Sequence, residues 1–191
     1  MIPKRDSNEK FTYADYQSWP EDERWEIIEG EVWDMSPAPN TGHQSISMIL
    51  SGEIYNYLKD KPCQVFVAPF DVRLREENDL TDKDIETVVQ PDISVICDKS
   101  KIDKKGCLGA PDIVIEILSP STAFKDESHK LKLYERYGVK EYLIVNPEAE
   151  YIVIYRLERD RFNKPEYLKD DDIIKSNVLQ GLKISLPEIF M

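Results

Sequence analysis

The sequence is short of basic residues and of cysteine, and each shortage removes a class of protein. Lysine and arginine total 25 against 37 aspartates and glutamates, a formal net charge of −12. Without clustered cations there is no long-range attraction for a phosphate backbone, which argues against a tight nonspecific nucleic-acid binder. Two lysine groups stand out. Lys99, Lys101, Lys104 and Lys105 read as a solvated loop, whereas Lys125, Lys130 and Lys132 share one predicted helix. Cys63, Cys97 and Cys107 lie far apart with no CxxC spacing, the pattern of reduced thiols in a cytoplasmic protein and not of a disulfide frame or zinc site. The opening MIPKRDSNEK lacks an apolar core and no run approaches a membrane span, so neither a signal peptide nor a membrane partner is expected. Internal repeats are absent.

What is present fits one domain over residues 1–191, since 41% hydrophobic content at this length can bury a sizeable core. Short strands are predicted over 25–28 and 32–35, turning at Glu29 and Gly30. A helix then runs from Thr41 to about Lys59, capped by Asn40 or Thr41, with an apolar side of Ile46, Ile49, Leu50, Tyr57 and Leu58. Strands follow over 64–68, 70–74, 93–97, 113–118, 141–145 and 151–156. The segment 160–172 extends an antiparallel edge that 175–179 can lengthen, and the tail GLKISLPEIF reads as a strand and a helical turn. A short helix near the start carries Tyr13, Tyr16 and Trp19, read as core or dimer contact ahead of a base-stacking platform. The polar loop 75–86 either covers a cleft or does nothing. The order predicts an α/β or α+β domain, a mixed central sheet flanked by helices.

The chemistry concentrates between Pro91 and Tyr142. Asp92 opens one strand, and Glu116 sits among apolar neighbours in another, where an unpartnered carboxylate is costly to bury. Its partner is a cation, a base or a retained proton. Asp112 lies four residues from Glu116 on the same strand, roughly 13 Å away and too far to share a small ion. Asp92, on a neighbouring strand about 5 Å away, can meet Glu116 in a suitable register. Ser119 to Thr122 signals a helix start, the helix runs to Tyr137 and stops at Gly138, and Asp126 and Lys130 share one face of it. Two carboxylates and a lysine suit phosphodiester hydrolysis: the acids fix Mg²⁺, with Mn²⁺ as a substitute, and the lysine steadies hydroxide or transition-state charge. A buried structural Glu116–Lys130 ion pair, with Asp92 capping a turn, accounts for the same pattern.

The Glu29-Gly30-Glu31 turn, PDISV, EILSPST, the Asp126 to Lys130 helix and GVKEYLIVNPE together resemble the Uma-two family of endonucleases within the PD-(D/E)xK superfamily. The resemblance covers nearly the whole chain and is most specific from Glu116 to Pro147. It implies a restriction-endonuclease-like core with Asp92, Glu116 and Lys130 as the active-site set, Asp92 and Glu116 as metal ligands, and DNA as substrate. Leu118 stands where the superfamily places its lysine; the family is thought to supply that charge from the next helix, with Lys130 the match and Lys125 and Lys132 nearby. The resemblance also brings in Glu31 as a further acid and His43, at a helix start, as a phosphate contact; the ordinary readings are a solvated turn residue and a surface histidine. Cutting both strands commonly takes two sites, so a homodimer is expected. Two other readings stand beside the nuclease. One is a silent module of the same fold that binds nucleic acid or protein, and the other is a metal-assisted hydrolase of a small phosphorylated substrate.

Overall fold

A computed structural model of the chain describes residues 9–20, 24–35, 40–76, 78, 81–119 and 125–190, less the side chains of 125 and 127. Among the described residues, fifteen strands lie in three sheets. The first contains β1 (Trp25–Ile28), β2 (Glu31–Asp34), β4 (Val72–Leu74), β5 (Thr87–Val89), β7 (Ile102–Asp103) and β8 (Gly106–Leu108), in the order β2-β1-β5-β4-β8-β7. The second has β3 (Gln64–Val67), β6 (Ile93–Ile96), β9 (Ile113–Ile117), β10 (Glu141–Asn146), β11 (Tyr151–Glu158) and β12 (Arg161–Phe162), in the order β12-β11-β10-β9-β6-β3, with β13 (Glu166–Lys169) also on β11. The third is a two-stranded ribbon of β14 (Ile173–Lys175) and β15 (Lys183–Ser185). Four helices accompany them: α1 (Tyr13–Tyr16), α2 (Thr41–Leu58), α3 (Leu131–Arg136) and α4 (Leu186–Ile189). The expected mixed α+β class is what the chain adopts, each large sheet holding one parallel pair, β4–β8 and β9–β10.

Both faces of the seven-stranded sheet are covered, which is why its central strands read as unbroken apolar runs. Along β9, Ile113, Ile115 and Ile117 join Ile46, Leu50, Ile54 and Leu58 of α2, with α4 and the ribbon behind. The alternate residue Val114 turns to the other side, to Leu133, Tyr134 and Tyr142 and to Ile28, Val72 and Val89 of the six-stranded sheet. Glu116 shares that second side by the period of two. Asn40 caps α2 by accepting from the His43 amide at 2.9 Å. The β1–β2 turn places Glu29 and Gly30 at φ 53° and 86°, the two left-handed positions of a tight hairpin.

Several expectations are corrected. Cys63 and Cys97 form a disulfide and are not reduced thiols, leaving buried Cys107 as the free cysteine. Gln64 pairs with Ile96 across β3 and β6, so the next positions outward, 63 and 97, face each other. The strand near 175 pairs with β15 and does not lengthen the sheet edge. The 99–105 lysine stretch is a 3-10 turn and the β7–β8 hairpin, in which Lys101 donates to the Ala110 carbonyl and Lys105 pairs with Asp82. By contrast, the early aromatics contact one another, Phe11 meeting Trp19 edge-on and Tyr13 stacking on Tyr16, in keeping with the core contact that the sequence reading put first. The helix-start signal at 120–122, with Glu77 and Asp79 of the charged loop, falls outside the described residues.

Gly106 fixes the β7–β8 hairpin against β4. Its φ is +114°, and an added Cβ would meet the Asp71 carbonyl at 2.2 Å, the same carbonyl that accepts from the Cys107 amide. Gly106→Ala is therefore expected to destabilise the fold by about 3 kcal/mol through backbone strain, read as a lowered urea midpoint at unchanged slope.

Candidate active site

Ile93, Ser94 and Val95 of β6 lie opposite Ile115, Val114 and Ile113 of β9 in antiparallel register. The next pair outward is Asp92 and Glu116, so the register the sequence left open does bring the two acids together on one face. Asp92 is held by its edges: Oδ2 accepts from the Ile117 amide at 2.7 Å and lies 3.2 Å from His43 Nε2. Its side chain is 21% exposed, the open edge of an otherwise closed cluster.

Lys130 comes up from below. Residues Lys125–Lys130 form a π-helical turn leading into α3, a wider spiral of the kind that recurs at functional sites. Lys130 is 3% exposed, and its Nζ lies 2.8 Å from Glu116 Oε1, 2.9 Å from Glu26 Oε1 and 3.4 Å from Asp126 Oδ1. Tyr134, one turn on, donates to the same Glu116 oxygen at 2.9 Å. Tyr142 donates to the Asp126 carbonyl at 3.0 Å. Of the neighbouring lysines, Lys132 is exposed.

The charges do not balance: Glu26, Asp92, Glu116 and Asp126 surround Lys130 and His43. Burial pushes the Glu116 carboxyl up to about 8; Lys130 pulls against this, and Asp126, Asp92 and Glu26 add to it. The contact with Lys130 has the geometry of an ion pair, yet at neutral pH the cluster keeps a proton, because one ammonium is shared among three acids. Burial alone would lower Lys130, but Glu116 and Glu26 hold it well above its ordinary value, so it stays charged. Burial lowers His43, but the hydrogen bond to Asp92, the Asp92 charge and nearby backbone groups together raise it above its ordinary value.

A hard divalent cation fits this donor set. All the donors are carboxylate oxygens, the cluster carries surplus negative charge, and Oδ1 of Asp92 has no partner among the described residues. Asp92 and Glu116 would hold the ion. Among the described residues no three acids, histidines or cysteines are gathered as a ready cage, so water would complete the shell, as Mg²⁺ favours.

Glu26 is the site residue the sequence reading passed over. It is fully buried, contacts Lys130, and accepts from the Gln90 amide at 2.9 Å. The cue was available: WEII sets one acid among apolar neighbours, as IVIEI does around Glu116. Glu31 stands apart, exposed beside the hairpin turn and opposite Ile28. His43 is buried against Asp92 and is not a surface residue. Leu118, at the position where the superfamily places its lysine, is buried in the apolar layer. Asp112 binds the Cys97 amide at 2.7 Å and Lys140 at 2.6 Å, a separate arrangement at the other end of β9.

The two-sheet α+β architecture, with acids on paired strands, is shared with a solved protein. The solved structure of "a putative nuclease belonging to DUF820" from Anabaena variabilis matches at a TM-score of 0.75, covering 94% of this chain and 97% of that one; at 21% identity the likeness is one of fold. The family described as "Uma2: Putative restriction endonuclease" matches residues 13–187, and the chain belongs to that family. "Uncharacterized protein slr1290" of Synechocystis sp. is 27% identical over 154 residues, 79% of this chain and 76% of that protein. Family membership supports a nuclease-like activity. No helix among the described residues is long and apolar enough to cross a membrane.

Proposed function

We propose that the protein is a divalent-cation-dependent endonuclease that hydrolyses phosphodiester bonds in DNA. The observation that carries this reading is the ammonium of Lys130 held against Glu116, with Asp92 opposite Glu116 in the register. A Mg²⁺ ion on Asp92 and Glu116, replaceable by Mn²⁺, supplies an acidified water and screens the phosphate charge. Lys130 steadies the developing negative charge. Glu26 and Asp126 are positioning residues that fix Lys130, Tyr134 fixes Glu116, and His43 with the Ile117 amide fixes Asp92. Cleavage of both strands calls for two copies, a homodimer whose presence gel filtration reads.

The rival is a silent nuclease-fold module that binds without cutting. The burial of Glu116 and Lys130 favours it, because a closed ion pair also serves structure alone. A plasmid separates the two. The expected result is nicking of supercoiled DNA with Mg²⁺ or Mn²⁺, reduced at least about a hundredfold in Asp92→Asn. DNA retained in a salt-dependent way with no nicking under either ion would establish the silent module, and hydrolysis of small phosphoesters alone would make it a small-substrate hydrolase.

A further inference from the structure

A cleft of about 670 Å³ opens between the β1–β2 hairpin and α3, a volume in the range of small-ligand sites. Ile28, Glu31 and Trp33 line it from the hairpin, and His129, Arg136 and Tyr137 from the helix side. The cleft adjoins the acid–lysine cluster. Trp33 is the register partner of Glu26 across the hairpin, so the two share one face, and His129 is the residue before Lys130.

Its chemistry is unlike that of a groove for a phosphate backbone. Five acids line it, namely Glu29, Glu31, Glu76, Asp84 and Glu86, against Lys10, Arg136 and His129. Arg136 is already engaged with Glu29 at 2.7 Å and Glu76 at 2.6 Å, and Lys10 with Glu86. Phosphates would be repelled. Flat apolar faces and unfilled hydrogen-bonding positions remain. Trp33 and His129 lie 5.0 Å apart between ring centres. The Trp33 indole N–H is buried behind the ring, with no hydrogen bond among the described residues, so it is the ring and not the N–H that the cleft presents. Glu31 has no cation partner among the described residues and offers an acceptor on the same face.

We infer that this cleft is a nucleobase pocket that takes one unpaired base of the DNA substrate, with a preference for bases bearing an exocyclic amino group. The base stacks on Trp33, and Glu31 accepts from the amino group. A base within a duplex has these edges paired and its faces stacked, so the substrate class is single-stranded, gapped or base-extruded DNA. This inference rests on the endonuclease reading, but its test uses binding without hydrolysis, so the two fail separately.

Binding is measured in EDTA by tryptophan fluorescence, taking the wild-type signal less that of Trp33→Phe. A cytosine- or adenine-rich single strand is expected to quench Trp33 and to bind at least roughly fivefold more weakly to Trp33→Ala, the loss of one stacked base. Matched duplex and abasic strand give no quench. Glu31→Lys, at an exposed position, keeps the test open should Trp33→Ala fail to fold. It is expected to weaken cytosine- and adenine-rich strands relative to thymine-rich ones, which gain only from the added positive charge. Equal strengthening of all strands by Glu31→Lys would make the cleft a backbone groove and overturn the proposal. Equal binding of single, duplex and abasic strands, or a response to a lysine-rich peptide with none to DNA, would overturn it too.

Discussion

Replacing Lys130 with methionine is expected to destabilise the protein by about 3–5 kcal/mol as well as abolish nicking. The ammonium is the shared counter-charge of Glu116, Glu26 and Asp126, all buried. Methionine fills much of the same volume, so the loss isolates charge from packing. Once it is gone the acids can be accommodated only by binding protons. The deficit should therefore be largest near pH 8 and shrink towards pH 5, as urea unfolding at both pH values will read. Adding Glu116→Gln to the methionine variant should recover part of the loss, the coupling expected for groups in direct contact. A deficit below about 1 kcal/mol at both pH values would mean that the lysine is not the buried counter-ion.

The wild-type protein is expected to lose stability as pH rises from about 4.5 to about 8, by several kcal/mol of which Glu116 is the main source and His43, also raised in the fold, a second. Its carboxyl is raised to about 8 in the fold by burial, against the pull of Lys130 and with the aid of Asp126, Asp92 and Glu26. In the unfolded chain it titrates at its ordinary value of about 4.3. Between these limits the folded state holds a proton that the unfolded state has released, so each rise in pH favours unfolding. Below the lower limit both states are protonated, and above the upper limit both are ionised. Lys130, raised in the fold, contributes a constant over this window and loses its contribution only at far higher pH. Glu116→Gln should remove most of the slope and leave the part owed to His43, and a slope undiminished in that variant would assign it elsewhere. The same proton must leave when an ion takes Glu116. Calorimetric titration of Mg²⁺ at pH 7, in buffers of different ionisation enthalpy, should report release of about one proton.

Local pattern carried the strands of Asp92 and Glu116, because apolar runs covered on both faces are distinctive, and it carried the stop at Gly138, whose φ is +80°. It also limited the partner of Glu116 to a short choice. Pattern could not carry what depends on pairing between distant segments. The Cys63–Cys97 bridge follows from the β3–β6 register, and the burial of Glu26 follows from a helix arriving more than a hundred residues later. The β7–β8 hairpin was hidden by its lysines, which read as solvated loop because their anchors, Ala110 and Asp82, lie outside the segment. His43 was legible as a candidate phosphate contact, but its partner Asp92 appears only once the fold brings the two together.

The chain passes from one sheet to the other through Gln90, Pro91 and Asp92, between the end of β5 and the start of β6. The Gln90 amide grips Glu26, which grips Lys130, while Asp92 two residues on faces Glu116. Amine and acid are thus coupled to a single stretch of backbone that belongs to both layers. Were one layer to slide over the other, the spacing between Lys130 and Glu116 would change with it.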